Sequence, residues 1–233
     1  MATELSGFTV DGVTQRRGGR ITLDSVDLTI AASGITALIG RSGAGKSSLL
    51  RLLNGLDVPD AGTVRWHGVD LADLDMTEHR RRVAHVAQRA IPFDGTVADN
   101  LRVAAPTATD ERVGDLLRQV GIAHLVEQDA TTLSGGEAQR MCIARALVNE
   151  PEVILADEPT SALDPEARDG VESLAADIVG DGVAWVWVSH DAAQTRRLAD
   201  RVVVMDEGRV LASGTTEQIA DHAEPAVRRA LED

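Results

Sequence analysis

A glycine-rich stretch between a predicted strand and a predicted helix has the residue types that bind phosphate groups. Its first eight residues satisfy the pattern G-x-x-x-x-G-K-[ST]; the stretch is Gly40, Arg41, Ser42, Gly43, Ala44, Gly45, Lys46, Ser47 and Ser48. Glycines allow successive backbone N–H groups to point into one concavity, and the N-terminus of the following helix adds positive potential. In this pattern Lys46 reaches the β- and γ-phosphates of a nucleotide, and the Ser47 hydroxyl coordinates Mg²⁺. An ordinary glycine-rich turn is the alternative, which the flanking strand and helix disfavour.

Two acidic residues, Asp157 and Glu158, follow the apolar segment VILA, which is predicted to be a buried strand. Ligands of parallel-sheet folds bind at the carboxyl edge of the sheet, where Asp157 would hold Mg²⁺. Glu158, one residue further on, would polarise the attacking water as a general base. An acidic pair after a strand is often only a polar loop, but downstream of a phosphate-binding loop it indicates the second half of a nucleotide site.

A second candidate anion site lies at Ser134, Gly135 and Gly136, which open a predicted helix and are followed by Glu137. The hydroxyl, the bare glycine backbone and the helix dipole would together attract an anion. The structural alternative is a capping box, in which Ser134 caps the helix and Glu137 reaches back to it. The residues alone leave both interpretations open.

The segment LSGGEAQR at 133–140 resembles the signature of the ABC (ATP-binding cassette) ATPase family, a sequence that is rare elsewhere. The resemblance extends from about Phe8 to Ile219. It implies that the glycine-rich stretch binds ATP with Mg²⁺, and that Gln88 contacts both Mg²⁺ and the attacking water. It also implies that Asp164 belongs to the family's D-loop, residues 161–164, and that His190 contacts the γ-phosphate.

The same resemblance implies how two chains assemble. In this family two subunits pack head to tail, so we expect a homodimer or pseudo-dimer of cassettes. The signature of one subunit would then complete the ATP site of the other; these residues are Ser134, Gly135, Gly136 and Glu137.

The chain departs from the family where an aromatic side chain usually stacks on adenine. Residues 13–19 read Val-Thr-Gln-Arg-Arg-Gly-Gly, and no aromatic residue lies between Phe8 and Trp66. A guanidinium group can stack on a ring system in place of an aromatic side chain. We therefore expect Arg17, or failing that Arg16, to lie over the base. The alternative is that both arginines are solvated charges at the end of a strand.

These residues require an α/β framework, and the hydrophobic pattern predicts one. Strands are predicted at 8–10, 21–30, 35–39, 63–66, 153–157, 184–188 and 201–205, and helices at 47–56, 110–119, 135–148 and 165–179. This alternation favours a mostly parallel sheet covered on both faces. With the resemblance, it predicts a P-loop NTPase (RecA-like) core, an N-terminal antiparallel β subdomain and an inserted α-helical subdomain. A single cassette would span 1–233, with the β-rich subdomain and P-loop core at 1–88, the helical signature subdomain at 89–150 and the second part of the core at 151–233.

The composition narrows the function classes. A formal net charge of −14 disfavours nucleic acid as a partner. No apolar run approaches the roughly 18 residues of a membrane-spanning helix. The N-terminal MATELSGFTV lacks a basic region followed by an apolar stretch, and the lone Cys142 cannot form an internal disulfide, so we expect a cytoplasmic location without a secretory signal.

Two functional hypotheses follow from the resemblance. The first is the ATPase subunit of a membrane transporter, held at the inner face of the cell membrane by integral membrane permease subunits whose coupling helices lie in a groove near residues 88–100. The alternative is a soluble accessory ATPase similar to the iron–sulfur-cluster assembly cassette, acting on a cytosolic scaffold. The segment 87–101 resembles cassettes assigned to metal or phosphate transport, and the direction of transport stays open.

Overall fold

The computed structural model describes residues 7–224 and 227–228 of the chain. In chain order the elements are β1 (Gly7–Arg17), β2 (Arg20–Ala31), β3 (Ile35–Ile39), α1 (Lys46–Leu53), β4 (Ala61–Trp66), β5 (Val69–Asp70), α2 (Met76–Arg82), β6 (Val83–Val86), α3 (Val97–Ala104), α4 (Asp110–Gln119), α5 (Gly135–Leu147), β7 (Val153–Asp157), α6 (Pro165–Gly180), β8 (Ala184–Val188), α7 (Ala192–Leu198), β9 (Arg201–Asp206), β10 (Arg209–Thr215) and α8 (Thr216–Ala220).

The first sheet is antiparallel, with the strand order β2-β1-β4-β5. Strands β1 and β2 form a hairpin in which Arg17 pairs with Arg20, and both glycines of its turn have positive φ, 56° and 79°. One face of the sheet buries Phe8 and Trp66, whose ring centroids are 4.4 Å apart, in a core shared with α1. The sheet therefore packs against α1, the helix that follows the phosphate-binding loop.

The second sheet is mostly parallel, with the order β10-β9-β3-β8-β7-β6 and one antiparallel pair, β9 and β10. All residues of β3 and β8 are buried, which is why these strands read as continuous apolar runs. The carboxyl ends of parallel strands meet at one edge of a sheet. Here that edge carries Gly40 after β3, Gln88 after β6, Glu158 after β7 and His190 after β8.

Helices α3, α4 and α5 connect β6 to β7 and cover one face of the second sheet. Leu101, Leu117 and Met141 of these helices belong to the same apolar core as Ile154 and Trp185 of the sheet. The three helices lie within the expected insertion at 89–150. The limits 1–88, 89–150 and 151–233 as subdomain boundaries stay a prediction.

The structure corrects the sequence analysis at several element ends. Helix α1 ends at Leu53 and not at residue 56 as predicted, so Leu56 lies beyond it and is 43% exposed. Strand β1 is much longer than the predicted 8–10, and β5, β6 and β10 had not been predicted. Within the described ranges 7–224 and 227–228, no helix is both long enough and apolar enough to cross a membrane.

Candidate nucleotide site

The N-terminus of α1 is built to receive an anion. Of the eight α-helices in the described part of the chain, α1 alone has no side-chain cap, because its N-cap residue is Gly45 in the left-handed conformation. The N–H groups of its first turn, which begins Lys46-Ser47-Ser48, have no partner within the helix. These donors and the helix dipole point into the loop 40–45, as phosphate binding requires.

Two glycines let this loop lie close to its neighbours. Gly40 has a φ of 145°, and a Cβ there would run into the carbonyl oxygen of Met205. Gly45 has a φ of 100°, and a Cβ there would lie 2.5 Å from the carbonyl oxygen of Thr22. The loop is therefore pressed between the ends of β9 and β2, and side chains at these two positions would displace it.

Lys46 is a buried cation inside the loop. Its side chain is only 5% exposed, and Nζ donates to the carbonyl oxygens of Gly40 (2.7 Å) and Arg41 (3.0 Å). Burial lowers the pKa of Lys46, and the nearby carboxylates of Glu158 and Asp157 act in the opposite direction. A buried ammonium beside uncapped backbone donors is suited to hold phosphate oxygens.

Two of the three residues predicted to hold Mg²⁺, Ser47 and Asp157, contact each other, whereas the third, Gln88, contacts Glu158 and Ser161. The Ser47 hydroxyl donates to Asp157 Oδ1 at 3.0 Å, which joins the start of α1 to the end of β7. A hydroxyl and a carboxylate are oxygen ligands of the kind that Mg²⁺ takes together with substrate phosphates and waters. Among the described residues there is no cluster of three or more His, Cys, Asp or Glu that could hold a metal. The hydroxyl of Ser47 and the carboxylate of Asp157 fit an ion whose other ligands are nucleotide phosphates and waters.

The three predicted catalytic side chains meet at the carboxylate of Glu158. Its Oε1 contacts Nε2 of His190, and its Oε2 accepts a hydrogen bond from Gln88 Nε2 at 3.2 Å. Gln88 Nε2 also lies 3.1 Å from Ser161 Oγ, which donates to the Glu158 carbonyl oxygen. Glu158 has a φ of 48°, a conformation unfavourable for a non-glycine residue. Such strain is characteristic of functional positions.

The signature residues lie elsewhere on the surface of the chain. Ser134 caps α5 and forms a capping box with Glu137, so that the structural alternative from the sequence analysis is present. Gly135 and Gly136 pack on Leu163 and Ala167, the latter in the first turn of α6. In the described part of the chain, no hydrogen bond or ion pair joins residues 134–137 to residues 40–48.

The D-loop lies beside the signature. Asp164 is the N-cap of α6, and its carboxylate accepts a hydrogen bond from Ala167 N at 3.0 Å. The signature and the D-loop therefore lie side by side, and the D-loop also reaches the candidate catalytic residues through Ser161.

Arg17 lies near the end of the β1–β2 hairpin and is half exposed. Its Nη2 is 3.5 Å from Asp57 Oδ2, and Asp57 is held in turn by Arg51 through hydrogen bonds of 2.8 and 2.9 Å. Arg16 contributes its backbone N–H to Asp60. Base stacking by either arginine stays a prediction.

The sequence analysis did not find Gln194, a buried side chain hydrogen-bonded to the loops that carry Glu158 and His190. The available signal was its place three residues after the helix cap Asp191, where a capping-box Glu or Gln can occur. Gln194 turns inward instead, which a local pattern does not predict.

Comparison with known proteins places this site in a family. A protein-family model described as "ABC transporter" matches residues 23–161, more than half of the chain. The chain belongs to this family, as the resemblance in its signature predicts. It is an ATP-binding ATPase of the kind that functions in transport.

Individual relatives agree with this assignment. The methionine import ATP-binding protein MetN of Caulobacter vibrioides is 40% identical over 220 residues, which cover 90% of this chain and 66% of that protein. The phosphate import ATP-binding protein PstB 2 of Natronomonas pharaonis is 36% identical over 241 residues, which cover 96% of this chain and 85% of that protein. The solved structure of cbiO1 from Clostridium perfringens, described as part of the ABC transporter complex cbiONQ, matches with a TM-score of 0.85 at 25% identity and covers 99% of this chain and 100% of that chain. The predicted fold class is confirmed.

Proposed function

We propose that this chain hydrolyses ATP as one half of a head-to-tail dimer of cassettes and thereby powers solute uptake through separate membrane subunits. The observation that carries the proposal is the meeting of Glu158, His190 and Gln88 beside the uncapped helix that begins at Lys46. A base, a phosphate-binding loop and a candidate metal pair thus share one edge of the sheet.

In this proposal each residue has a defined task. Lys46 and the first N–H groups of α1 would hold the β- and γ-phosphates. The residues Ser47, Asp157 and Gln88 would hold Mg²⁺, which would neutralise phosphate charge. Glu158 accepts the proton of the attacking water through the oxygen that now accepts from Gln88. His190, which lies against the other carboxylate oxygen of Glu158, would contact the γ-phosphate.

A second copy completes the site. The phosphate-binding loop and the signature are two candidate anion sites, at the N-termini of two different helices of one chain. Packing of Gly135 and Gly136 on residues 163 and 167 supports a dimer in which the signature and D-loop together face the partner's ATP. The signature residues would then act in trans.

A groove between β6, the segment 87–93 and helices α3 and α5 supports a membrane partner. Three large apolar side chains, Ile91, Phe93 and Val103, line it and are 61%, 44% and 58% exposed. Arg145 of α5 lies over the Phe93 ring at 4.6 Å and donates to the Ile91 carbonyl oxygen. This groove therefore connects an exposed apolar surface directly to the signature helix. We infer that a coupling helix of a permease docks there, which would hold the chain at the cytoplasmic face of the membrane.

Relatives named as import ATP-binding proteins support uptake rather than export. Their names carry different solutes, methionine and phosphate. Metal or phosphate as the solute of this chain stays a prediction, which rests on the segment 87–101.

The test is recovery of the partner from detergent-solubilised membranes of the source organism, using tagged wild-type chain and two variants. Val103→Asp places a charge in the groove, and Val58→Asp makes the same change at an 82% exposed valine outside it. We expect a multi-spanning membrane protein to be recovered with wild type and Val58→Asp and lost with Val103→Asp. Recovery of soluble scaffold proteins alone would contradict the proposal and support the accessory-ATPase alternative.

A further inference from the structure

Gln194 is a buried side chain between the two loops that carry the catalytic groups. It lies in the first turn of α7 and is 3% exposed. The residues around it are also buried, with exposures of 5% for Thr160, 4% for Glu172 and 4% for Ser189. A polar side chain in such a position requires hydrogen-bond partners for all its atoms.

Gln194 has a complete set of partners. Its Oε1 accepts from Ser189 Oγ (2.6 Å) and from Trp187 Nε1 (3.2 Å). Its Nε2 donates to Thr160 Oγ1 (2.9 Å) and to Glu172 Oε1 (2.8 Å). The indole N–H can only donate and an ionised carboxylate can only accept, so the two ends of the amide cannot be exchanged. The site therefore selects a neutral amide in one orientation.

The partners belong to different parts of the catalytic site. Ser189 immediately precedes His190, and Thr160 follows Glu158 by two residues. Glu172 lies on α6 and forms an ion pair with Arg197 of α7. This pair fixes the carboxylate that accepts from the Gln194 amide. One side chain thus connects the loop of His190 to the loop of Glu158 and anchors both to α6.

We propose that Gln194 is a positioning residue that holds the His190 loop and the Glu158 loop in register for hydrolysis. The argument rests on the catalytic roles proposed above for Glu158 and His190. The residue touches neither reacting group, and it acts through the hydroxyls of Ser189 and Thr160. A displacement of about 1 Å at a reacting group can cost on the order of 100-fold in rate, so loss of this connection reduces turnover. It leaves the phosphate-binding loop unchanged, because no hydrogen bond of Gln194 reaches residues 40–48.

The first test separates turnover from binding. Gln194→Met keeps the length of the side chain and removes all four side-chain hydrogen bonds. We expect kcat for ATP hydrolysis to fall roughly 10-fold to 100-fold, while the ATP dissociation constant changes less than about twofold. Val64→Ala, a truncation in β4 of the first sheet at a residue 3% exposed, is the control for lost stability and should keep kcat.

The second test uses pH. In Gln194→Glu a new carboxyl group faces the Glu172 carboxylate, and like charges disfavour its ionised form. The charged groups around it are Glu172, Arg168, Asp191, Arg197, Glu158 and His190. When protonated, the new carboxyl can still donate to Glu172 and accept from Ser189 and Trp187. The ratio of variant to wild-type kcat should therefore rise as the pH falls, whereas the ratio for Gln194→Met should stay constant.

Several results would overturn the inference. Wild-type kcat in a folded Gln194→Met variant would do so, as would a parallel loss of ATP affinity and kcat, or a pH-independent ratio for Gln194→Glu. If Gln194→Met does not fold, Ser189→Ala removes one of the four bonds, and an unchanged kcat there has the same meaning. Glu158→Gln is measured alongside: if it retains turnover, the proposed catalytic site fails, independently of Gln194.

Discussion

The buried ammonium of Lys46 has two opposing effects: it strengthens ATP binding, and burial of its charge lowers the stability of the nucleotide-free chain. Replacing Lys46 by methionine would separate them. Methionine keeps an unbranched side chain of similar length and removes the charge. A hydrogen bond to a charged group contributes about 1.5–3 kcal/mol, which corresponds to roughly 10-fold to 150-fold in the dissociation constant. We expect Lys46→Met to weaken ATP binding by this factor for each phosphate contact that it removes.

The same substitution should also change how the stability of the nucleotide-free chain depends on pH. Burial lowers the pKa of Lys46, so the unfolded chain binds the proton more tightly than the folded chain. Between the lowered folded-state pKa and the usual lysine value, the unfolded state holds more protons, and the stability of wild type therefore rises with pH. Below the lowered folded-state pKa, Lys46 is charged in both states, and the full cost of burying its charge reduces the free energy of unfolding. Lys46→Met lacks this effect, but it also loses the hydrogen bonds from Nζ to the carbonyl oxygens of Gly40 and Arg41. The difference in stability between the variant and wild type should therefore shift in favour of wild type between pH 7.5 and pH 10.

The measurements are nucleotide titration and thermal unfolding of both proteins at the two pH values. Lys46→Arg is the control for charge. It keeps the cation but introduces a larger planar group where Nζ fits between the carbonyl oxygens of Gly40 and Arg41, so we expect an intermediate affinity. ATP binding by Lys46→Met within twofold of wild type would refute the reasoning, as would a stability difference from wild type that stays the same at pH 7.5 and pH 10.

Two further predictions concern the signature and the base. Gly135→Asp, where a Cβ meets only Leu163 Cδ2 at 3.7 Å, should abolish hydrolysis while the single chain still binds ATP; loss of that binding would show that the loop acts in folding. Gly136 is a poorer position for this test, because a Cβ there would lie 2.8 Å from that of Ala167. Arg17→Ala should raise the ATP dissociation constant by about 3-fold to 30-fold, from a stacking energy of roughly 0.5–2 kcal/mol, and Arg17→Tyr should restore it. Titrations that give unchanged affinity for both variants would remove Arg17 from the base site.

The sequence predicts the buried strands and an amphipathic helix best. The strands at 153–157 and 184–188 and the helix at 110–119 have the predicted limits. Buried parallel strands are short apolar runs bounded by polar residues, and α4 has the alternating polar and apolar faces of a surface helix. Strand β6 was missed because it has only four residues and follows α2 without a break. So short a segment shows no clear alternation of its own, and it is a strand because it pairs with β7.

The residue types of the candidate site could be predicted, whereas its connections could not. Motif spacing and family resemblance selected Lys46, Asp157 and Glu158, because the chemistry requires those groups after those strands. The bond from Gln88 to Ser161 spans 73 residues, and that from Gln194 to Thr160 spans 34. No local sequence pattern indicates such pairs, because they form only when the folded sheet brings the loops to one edge.

The two helix N-termini assigned to phosphate differ in how far their donors are already satisfied, and this difference orders the steps of the proposed cycle. Helix α1 has no side-chain cap, and Lys46 lies beside it. Helix α5 has a capping box, in which Glu137 accepts from both the N–H and the hydroxyl of Ser134, and these bonds lower the pKa of Glu137. A carboxylate at this terminus competes with any incoming phosphate, so α5 is the weaker anion site. In the proposed dimer, ATP would therefore bind first to α1 of one chain. The signature of the second chain would bind only a γ-phosphate that is already held there. The dimer would therefore close only when ATP occupies the site.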